Sequence, residues 1–507
     1  MINIRRSYEA LALGLFLFFL VITDLRYLKG WPVSIFLEMT PLVAVATALT
    51  THTIYRNLVW GLVIIGITMM VGRVWCNWMC PFGILHHIFG NIRPARNTKD
   101  AIEVNRYRPI YALKYYILAG MLAMAALWVV PTIYHAPGKI IGAYQGDTLK
   151  ETGPARALAA IGVGLSESAG EHKQGNSSLQ IGLLDPIALT VRSMTTSVLP
   201  TVHKGTESIY TENREYWYGW VVGLLFIGFL VANWWVPRFF CRAICPLGAL
   251  LGVFSRFSLW RIDRDPVRCT DCDLCLKACE GASDPHKDLR KSECFVCLNC
   301  IDDCPHDALA FRFLPRKASE VTYPAVGRRE LVLAGLFGLF FFPMARLSGG
   351  VRKNFSRYAI RPPGSVAEDE FLRRCIKCDQ CIRVCPTNVL QPATFEAGLE
   401  GLWTPIMISK MGWCELNCTL CSQVCPTGAL MFKSEHDLRQ AGQWDESSQT
   451  VTDTICPYCG VGCTLQLHVQ GNEIVKVTSP PDHDVTSGHL CIKGRFGWQF
   501  VQPKVSS

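Results

Sequence analysis

The sequence contains no C-x-x-C-H motif, so the usual attachment site of a c-type haem is absent. No motif that reads RNA or DNA accompanies the net charge of +9. No constellation of acid, base and nucleophile stands out either, and we therefore predict no substrate chemistry on this chain. Of the 507 residues, 50% are hydrophobic, and many of these lie in continuous apolar segments. The sequence also contains 24 cysteines.

The cysteines are grouped in a way that favours metal binding. A disulfide scaffold is typically short and secreted, whereas this chain is long and its apolar residues are clumped. Most cysteines fall in tight C-x-x-C runs, and thiolates at that spacing converge on one metal centre.

Four apolar segments in the first half predict membrane helices, because their runs approach the length that spans a bilayer. Lys and Arg are usually enriched in cytoplasmic loops, and Arg5, Arg6, Arg238 and Arg242 flank these segments. This charge pattern predicts a cytoplasmic N-terminus and an external loop from about Pro131 to Tyr216. The alternative is a set of buried helices in a soluble core. The segments are approximately Ala10–Ile22, Leu58–Val71, Ile110–Val130 and Trp217–Val236.

The same half contains an internal repeat, C-x-x-x-C-P-x-G, at Cys76/Cys80 and again at Cys241/Cys245. Two similar halves suggest a pseudo-twofold bundle in which the two cysteine pairs face each other. Four facing thiols could ligate one metal or Fe–S centre, form disulfides, or contact quinone; inert buried thiols are the plain alternative.

Two later regions read as two-cluster ferredoxin modules, in which the fourth cysteine of each run ligates the other cluster. Zinc is the alternative occupant of a four-cysteine site. The first module has Glu280, rather than proline, after its first run, and the second has one extra residue between Cys414 and Cys418. The predicted ligand sets are Cys269, Cys272, Cys275 with Cys304; Cys294, Cys297, Cys300 with Cys279; Cys375, Cys378, Cys381 with Cys425; and Cys414, Cys418, Cys421 with Cys385.

Positive side chains accompany the second module at Arg373, Arg374, Lys377 and Arg383. Such charges raise the potential of a nearby cluster, or they form a solvated face.

Between the modules, Arg328-Arg329 precede a short apolar run that resembles a twin-arginine export signal. Export would place everything after about residue 350 outside the cytoplasm. The alternative is a helix on the membrane surface with both modules cytoplasmic.

The C-terminal region contains Cys456, Cys459, Cys463 and the more distant Cys491, which again make a four-thiolate set. This pattern resembles the N-terminal 4Fe-4S domain of molybdopterin oxidoreductases, especially formate dehydrogenases. The resemblance implies that these four cysteines ligate a cluster and that Lys493 bridges cluster and pterin. Because the sequence ends at Ser507, before that family's Mo/W-binding part, we expect a separate catalytic subunit; otherwise this domain is only a further relay.

Residues 1–310 resemble the NapH-type membrane quinol dehydrogenase of periplasmic nitrate reduction, through both cysteine pairs and the first ferredoxin module. Residues 325–435 resemble its NapG-type partner, through Arg328-Arg329 and the second module. The resemblance implies electron exchange between membrane quinone and a periplasmic molybdoenzyme. Metal-centre assembly or metal reduction by a membrane ferredoxin is the alternative function, and a redox sensor or scaffold without net electron flow is another.

The predicted fold is a membrane α-helical bundle of four to five transmembrane helices, joined to α+β ferredoxin modules and a small β-rich C-terminal domain. The expected cofactors are five 4Fe-4S clusters, and the paired cysteines are candidates for a further centre. Membrane lipid, quinone and a pterin subunit are the expected partners. The expected location is the inner membrane, with the first module cytoplasmic and the later domains periplasmic. The predicted domains are 1–260, 261–318, 325–348, 360–435 and 450–507.

Overall fold

The structure of the protein is a computed structural model. It describes residues 2–24, 28, 31–51, 58–92, 97–126, 179–206, 214–287, 289–313, 320–321, 326–347, 359–366, 368–394, 396–414, 418, 420–431, 435, 438, 443–488 and 490–501.

The first half of the chain is a helical domain whose helices share one buried core. Proline begins several of the helices, where its missing N–H is not needed. The helices are α1 (Ile2–Ile22), α2 (Ile35–Glu38), α3 (Pro41–Thr51), α4 (Val59–Val71), α5 (Val74–Trp78), α6 (Pro81–Ile92), α7 (Thr98–Asn105), α8 (Leu113–Ala126), α9 (Pro186–Ser193), α10 (Leu199–Thr206), α11 (Gly219–Ala232) and α12 (Pro246–Ser255).

All four predicted apolar segments contain helices: α1, α4, α8 and α11. Among the described residues, only the stretch Pro109–Ala126 is both long and apolar enough to meet a length-and-composition test for a membrane span. Four shorter apolar helices accompany it: α3, α4, α11 and α12. Residues 127–130, the end of the third predicted segment, lie outside the described residues.

The segment expected as an external loop, Pro131 to Tyr216, is not a loop throughout its described part. Residues 181–206 form helical turns and the helices α9 and α10. Asp185 begins α9, because its carboxylate accepts hydrogen bonds from the backbone N–H groups of Ile187 and Ala188. Asp185 and Arg192 are fully buried, so this segment belongs to the core of the helical domain.

The first ferredoxin module is built on the antiparallel strands β1 (Trp260–Arg264) and β3 (Leu309–Phe313), in register from Trp260–Phe313 to Arg264–Leu309. Strand β2 (Leu289–Arg290) pairs in parallel with β4 (Glu320–Val321). The short helices α13 (Leu274–Lys277) and α14 (Asn299–Asp302) complete it. The module lies against the start of α1, where the guanidinium of Arg5 donates to the Cys297 carbonyl at 2.7 Å.

The second ferredoxin module follows the helix α15 (Arg328–Leu347) and lies against the other end of α1. Arg383 donates to the carbonyls of Leu20 and Val21, both at 3.2 Å. At a rise of 1.5 Å per residue, Arg5 and Leu20 are about 22 Å apart along the helix. Its elements are α16 (Glu368–Arg374), α17 (Gln380–Val384), α18 (Leu420–Gln423) and the antiparallel strands β5 (Leu390–Pro392) and β6 (Pro405–Met407).

Helix α15 connects the two modules and packs tightly on α8 through two glycines. A Cβ atom at Gly338 would lie 2.2 Å from the Gly120 carbonyl oxygen, so only glycine permits this approach. Glycine contacts of this kind are enriched where helices associate in membranes. The 20 residues of α15 extend for about 30 Å, which is also the thickness of a bilayer core.

The C-terminal domain is a three-stranded antiparallel sheet in the order β7-β8-β9, followed by a short helix. The strands are β7 (Thr450–Ile455), β8 (Thr464–Gln470) and β9 (Glu473–Thr478), and the helix is α19 (Ile492–Phe496). Leu465, Val477 and Leu490 form its small core. Strand β7 is an edge strand and is exposed along its whole length.

A buried ion pair between Lys114 of α8 and Glu293 fastens the first module to the helical domain, with Tyr115 also donating to Glu293 at 2.9 Å. The substitution Lys114→Met leaves the carboxylate buried without this cation. We expect it to lower the free energy of unfolding by about 3 kcal/mol, because breaking one side of a buried pair costs ~3–5 kcal/mol and Arg73 compensates in part.

The measurement is the thermal or denaturant midpoint of the purified protein. The matched control is Arg106→Met, which removes an exposed ion pair with Asp273 between the same two parts of the chain. An exposed pair contributes at most about 1 kcal/mol. Equal midpoints for the two variants would contradict the stabilising role assigned to Lys114.

Candidate metal centres

The structure brings the thiols of the first ferredoxin module together in the crossed sets expected from the sequence. Cys269, Cys272, Cys275 and Cys304 line one cavity. Cys279, Cys294, Cys297 and Cys300 interact electrostatically with one another in a second group. Each group therefore takes three thiols from one run and the fourth from the other run.

The second module shows the same exchange. Cys375, Cys378, Cys381 and Cys425 line one cavity, and Cys385, Cys414, Cys418 and Cys421 line another. The extra residue between Cys414 and Cys418 therefore leaves both thiols at the same cavity. The presence of iron in these cavities remains a prediction, which is based on the cysteine sets that line them.

A repeated backbone conformation shapes the three runs in which the structure describes both neighbours of the middle cysteine. The residues on either side of the middle cysteine have positive φ: Asp271 and Asp273, Val296 and Leu298, Lys377 and Asp379. Non-glycine residues in this conformation cost of order 1–3 kcal/mol each and persist where the surroundings require them. Here the turns direct backbone N–H groups at thiols, as from Val296 to Cys294 and from Lys377 to Cys375.

The chemistry of the buried thiols fits a metal cluster. Burial raises the pKa of Cys294 to about 11 and that of Cys375 to about 12. Four thiolates would repel one another in such a cavity unless cations neutralised them, which ligation by iron achieves. Within the described residues, no group of three or more Cys, His, Asp or Glu is arranged to hold a single metal ion.

The positive residues beside the second module do not form a solvated face, so that alternative was wrong. Arg373, Arg374, Lys377 and Arg383 are all at most 4% exposed. Arg374 pairs with Glu370 at 2.5 Å, and Lys377 donates to Gln180 of the helical domain. Lys377 and Arg383 fasten the module to the helical domain, whereas Arg373 and Arg374 pair with Glu370 inside the module. Lys377 also places positive charge near Cys375.

Glu280, the departure from the usual proline, has a specific partner. Its carboxylate pairs with Arg238 at 2.6 Å and lies 3.6 Å from Arg5. Burial acts to raise the pKa of Glu280, but Arg238, His87 and Arg5 outweigh it and hold that pKa below its usual value. Arg238 and Arg242, whose charges support the predicted topology, are buried contacts to this module.

The paired cysteines of the helical domain also meet. Cys80 interacts electrostatically with Cys76 and Cys241, and Cys245 interacts with all three. All four thiols are buried. We call this group the four-thiol site. His86 and His87 are not among its neighbours: His86 packs against Phe82, and His87 pairs with Glu9 at 2.8 Å.

The geometry explains why the motif is repeated with proline and glycine. Cys80 and Cys245 begin the proline-led helices α6 and α12 and accept N–H groups from Gly83 and Gly248. A Cβ at Gly83 would lie 2.3 Å from the Cys76 carbonyl, and one at Gly248 would lie 2.8 Å from Arg73. The backbone contact requires glycine at position 83, whereas at Gly248 the close neighbour is the end of the Arg73 side chain.

Two buried arginines, Arg73 and Arg238, were missed by the sequence analysis as site residues. Arg238 of the second repeat donates to the Cys76 carbonyl of the first at 3.3 Å, and Arg73 of the first repeat approaches Gly248 of the second. Both guanidinium groups lie over the ring of Phe295, at 4.6 Å and 5.4 Å. The available signal was an arginine three residues before the first cysteine of each repeat.

The four-thiol site lies between the two ferredoxin modules. Towards the first module, Arg238 interacts with both Cys241 and Cys297, and Arg73 with Cys76 and Cys294. Towards the second module, Cys80 interacts with Asp185, which interacts with Arg192, and Arg192 interacts with Cys378. Arg192 also donates to the Lys377 carbonyl at 3.0 Å.

The C-terminal domain brings its four cysteines together. Cys463 interacts electrostatically with Cys456, Cys459 and Cys491. The thiol of Cys491 caps α19 by accepting the Gly494 N–H. Lys493 lies in the first turn of the same helix and is exposed. Exposed apolar side chains accompany this site: Ile455 is 71% and Val461 57% exposed.

Comparison with known protein families identifies several of these regions. A "Molybdopterin oxidoreductase Fe4S4 domain" matches residues 449–503. A "4Fe-4S dicluster domain" matches residues 374–429. A "4Fe-4S binding domain" matches twice, at residues 53–99 and 218–264, and each match contains one cysteine pair of the four-thiol site. Four stretches of the chain are thus similar to known 4Fe-4S domains.

The chain is 38% identical over 136 residues to the NADH-quinone oxidoreductase G 2 protein of Rhizobium meliloti, covering 26% of this chain and 15% of that protein. It is 32% identical over 112 residues to a putative electron transport protein of Escherichia coli, covering 21% and 28% respectively. It is 31% identical over 132 residues to a putative formate dehydrogenase of Staphylococcus haemolyticus, covering 25% and 12%.

The chain thus spans well under half the length of each of these relatives. Its 4Fe-4S domains relate it to electron-transfer subunits of oxidoreductases, including the NADH-quinone oxidoreductase G 2 protein and formate dehydrogenase-like proteins.

Proposed function

We propose that this protein is a membrane-bound electron relay between the quinone pool and a molybdenum or tungsten oxidoreductase of the formate dehydrogenase type. The observation that carries the proposal is the order of the thiol sites: two ferredoxin modules at opposite ends of α1, with the four-thiol site between them. In this role the chain combines functions of a NapH-type and a NapG-type subunit.

The residues that would hold the cofactors are the cysteine sets of these domains. Five cysteine sets would hold 4Fe-4S clusters. Two sets lie in each ferredoxin module, and the fifth is Cys456, Cys459, Cys463 with Cys491. Cys76, Cys80, Cys241 and Cys245 would hold a further iron–sulfur centre. The bound clusters supply one-electron transfer, and the chain supplies their spacing, burial and neighbouring charges.

The proposed topology places the first module in the cytoplasm and the second module and the C-terminal domain outside. Three features support it: the separation of the modules along α1, the length of α15, and its glycine contact with α8. A reporter enzyme fused after Ser507 tests the topology, and cytoplasmic activity of the reporter would contradict the external placement.

The proposed catalytic partner would dock on the exposed edge strand β7. An edge strand offers unpaired backbone groups, and Ile455 adds an apolar side chain that is 71% exposed. Lys493, at the neighbouring helix α19, would face the partner's pterin. The proposal assigns the active site to a separate subunit, since the part of this chain that matches the molybdopterin oxidoreductases is their Fe4S4 domain.

The function is tested by anaerobic purification of the tagged chain from native membranes. We expect a pterin-containing subunit to copurify and quinol to bleach the iron–sulfur absorbance. The substitution Ile455→Glu should release the partner, whereas Val485→Glu, equally drastic and 56% exposed in the same domain, should not. Purified wild-type protein without pterin and without any response to quinol would refute the relay.

A further inference from the structure

A cleft of about 700 Å³ opens where the second ferredoxin module meets the helical domain. Its volume lies within the ~300–1,000 Å³ range of small-molecule sites. Residues from α2, α4, the segment before α2, and α18 line it, so it belongs to neither part alone. Its lining residues include Ser34, Glu38, Val59, Trp60, Val63 and Val424.

One wall of the cleft adjoins, along the chain, the residues that line the thiol cavities. Val424 lines the cleft and immediately precedes Cys425, and Gln423 beside it lies two residues after Cys421. Cys421 and Cys425 belong to the two different thiol sets of the second module. Consecutive Cα atoms are about 3.8 Å apart, so a molecule in the cleft would lie close to both sets.

The opposite wall is apolar and faces outward. Val59, Trp60 and Val63 lie on the apolar helix α4 and are 45%, 57% and 43% exposed, and Trp31 at the same cleft is 50% exposed. Exposed tryptophans beside an apolar helix are typical of the membrane–water interface. A ligand that enters past these side chains would come from the hydrocarbon phase.

The floor of the cleft carries a proton-accepting pair. The Ser34 hydroxyl donates to the Glu38 carboxylate at 2.6 Å. The adjoining Val33 carbonyl accepts from Gln380, the residue before Cys381, at 3.2 Å. The carboxylate is therefore held at a fixed position relative to the second module.

We infer that this cleft is the site at which membrane quinone is oxidised or reduced, an inference that rests on the proposed function and gives it a location. In the oxidising direction the two quinol O–H bonds break and a quinone forms. One proton would pass to Glu38 and the other to water at the cleft mouth, and the cysteines of the second module would hold the centres that accept the two electrons one at a time. Quinone reduction reverses each transfer.

Three variants test the site. Val63→Trp fills the cleft, and its matched control Ile67→Trp changes a residue one turn later on α4 that is also 43% exposed but does not line the cleft. Glu38→Gln keeps the side-chain shape and removes the proton acceptor. The readout is the rate at which a short-chain quinol bleaches the iron–sulfur absorbance under anaerobic conditions, compared with dithionite.

We expect Val63→Trp to raise the quinol concentration for half-maximal rate at least tenfold, equivalent to about 1.4 kcal/mol. Ile67→Trp should match the wild type. Glu38→Gln should slow quinol-driven bleaching roughly 10²-fold, since a positioned proton acceptor contributes ~10²–10⁴-fold. Dithionite should reduce all variants equally, which shows that their clusters are intact.

Wild-type rates with quinol in both Val63→Trp and Glu38→Gln would overturn this site while leaving the relay function standing. Loss of copurified phospholipid from Val63→Trp without a change in rate would mean that the cleft holds a structural lipid, and it would overturn the inference too. A wild-type protein that dithionite bleaches but quinol does not would remove both the quinone link and this site.

Discussion

Replacing Cys80 with serine is expected to slow electron transfer between the two ferredoxin modules by more than about 100-fold. Mutation of partners outside a metal's ligand shell already costs roughly 10–100-fold, and Cys80 is proposed as a ligand itself. The physical reason is distance, because the modules contact α1 at points about 22 Å apart along that helix. Without the four-thiol site, no described thiol group lies between them.

The measurement is stopped-flow reduction by quinol, with paramagnetic resonance to assign the reduced clusters. We expect rapid reduction of the second module and C-terminal cluster, and slow reduction of the first module. Cys245→Ser, in the other repeat, should behave in the same way. The matched control Ser193→Ala removes one buried hydroxyl, which has no hydrogen-bond partner among the described residues of the same domain.

Iron analysis distinguishes a broken link from a misfolded protein. Each cysteine variant should lose the iron of one centre and keep the signals of the first module. If Cys80→Ser leaves both the iron content and the reduction of the first module unchanged, the four thiols are inert core residues. Dithionite should still reduce the first module in every variant, because that reductant does not depend on the internal path.

Removal of iron is expected to unfold the second ferredoxin module. Its elements are short, α16 having 7 residues and α17 having 5, and helices of this length are unstable alone. Cys375, Cys381 and Cys385 share a buried core with Phe371 and Ile382, so empty cavities would lie inside that core. Structural metal sites contribute on the order of 10 kcal/mol, comparable to a domain's whole stability of ~5–15 kcal/mol.

Limited proteolysis after anaerobic chelation and oxidation measures this effect. We expect new cleavage sites within residues 368–431, while α4 and α11 stay protected by the core of the helical domain. Reconstitution with iron and sulfide is the control and should restore resistance. A module that keeps its protease resistance without iron would show that protein packing, rather than ligation, stabilises it.

The sequence by itself determined which cysteines belong together. The crossed sets of the ferredoxin modules were predicted from the resemblance of the cysteine runs to two-cluster modules, in which the fourth cysteine of each run ligates the other cluster. The four apolar segments were also visible, because helix formation in them follows from local composition. The short helices α3, α6, α9 and α12 were not predicted, since each has too few residues for a clear periodic signal.

Only the tertiary structure shows which arginine side chains are buried and which groups they contact. Arg238, Arg242 and Arg383 look like solvent-facing cations in the sequence, yet each is buried against a carbonyl or carboxylate from a distant part of the chain. Such a pairing depends on which surfaces dock, and local sequence carries no record of docking. The position of the four-thiol site between the two modules, and the cleft beside Val424, arise from the same docking.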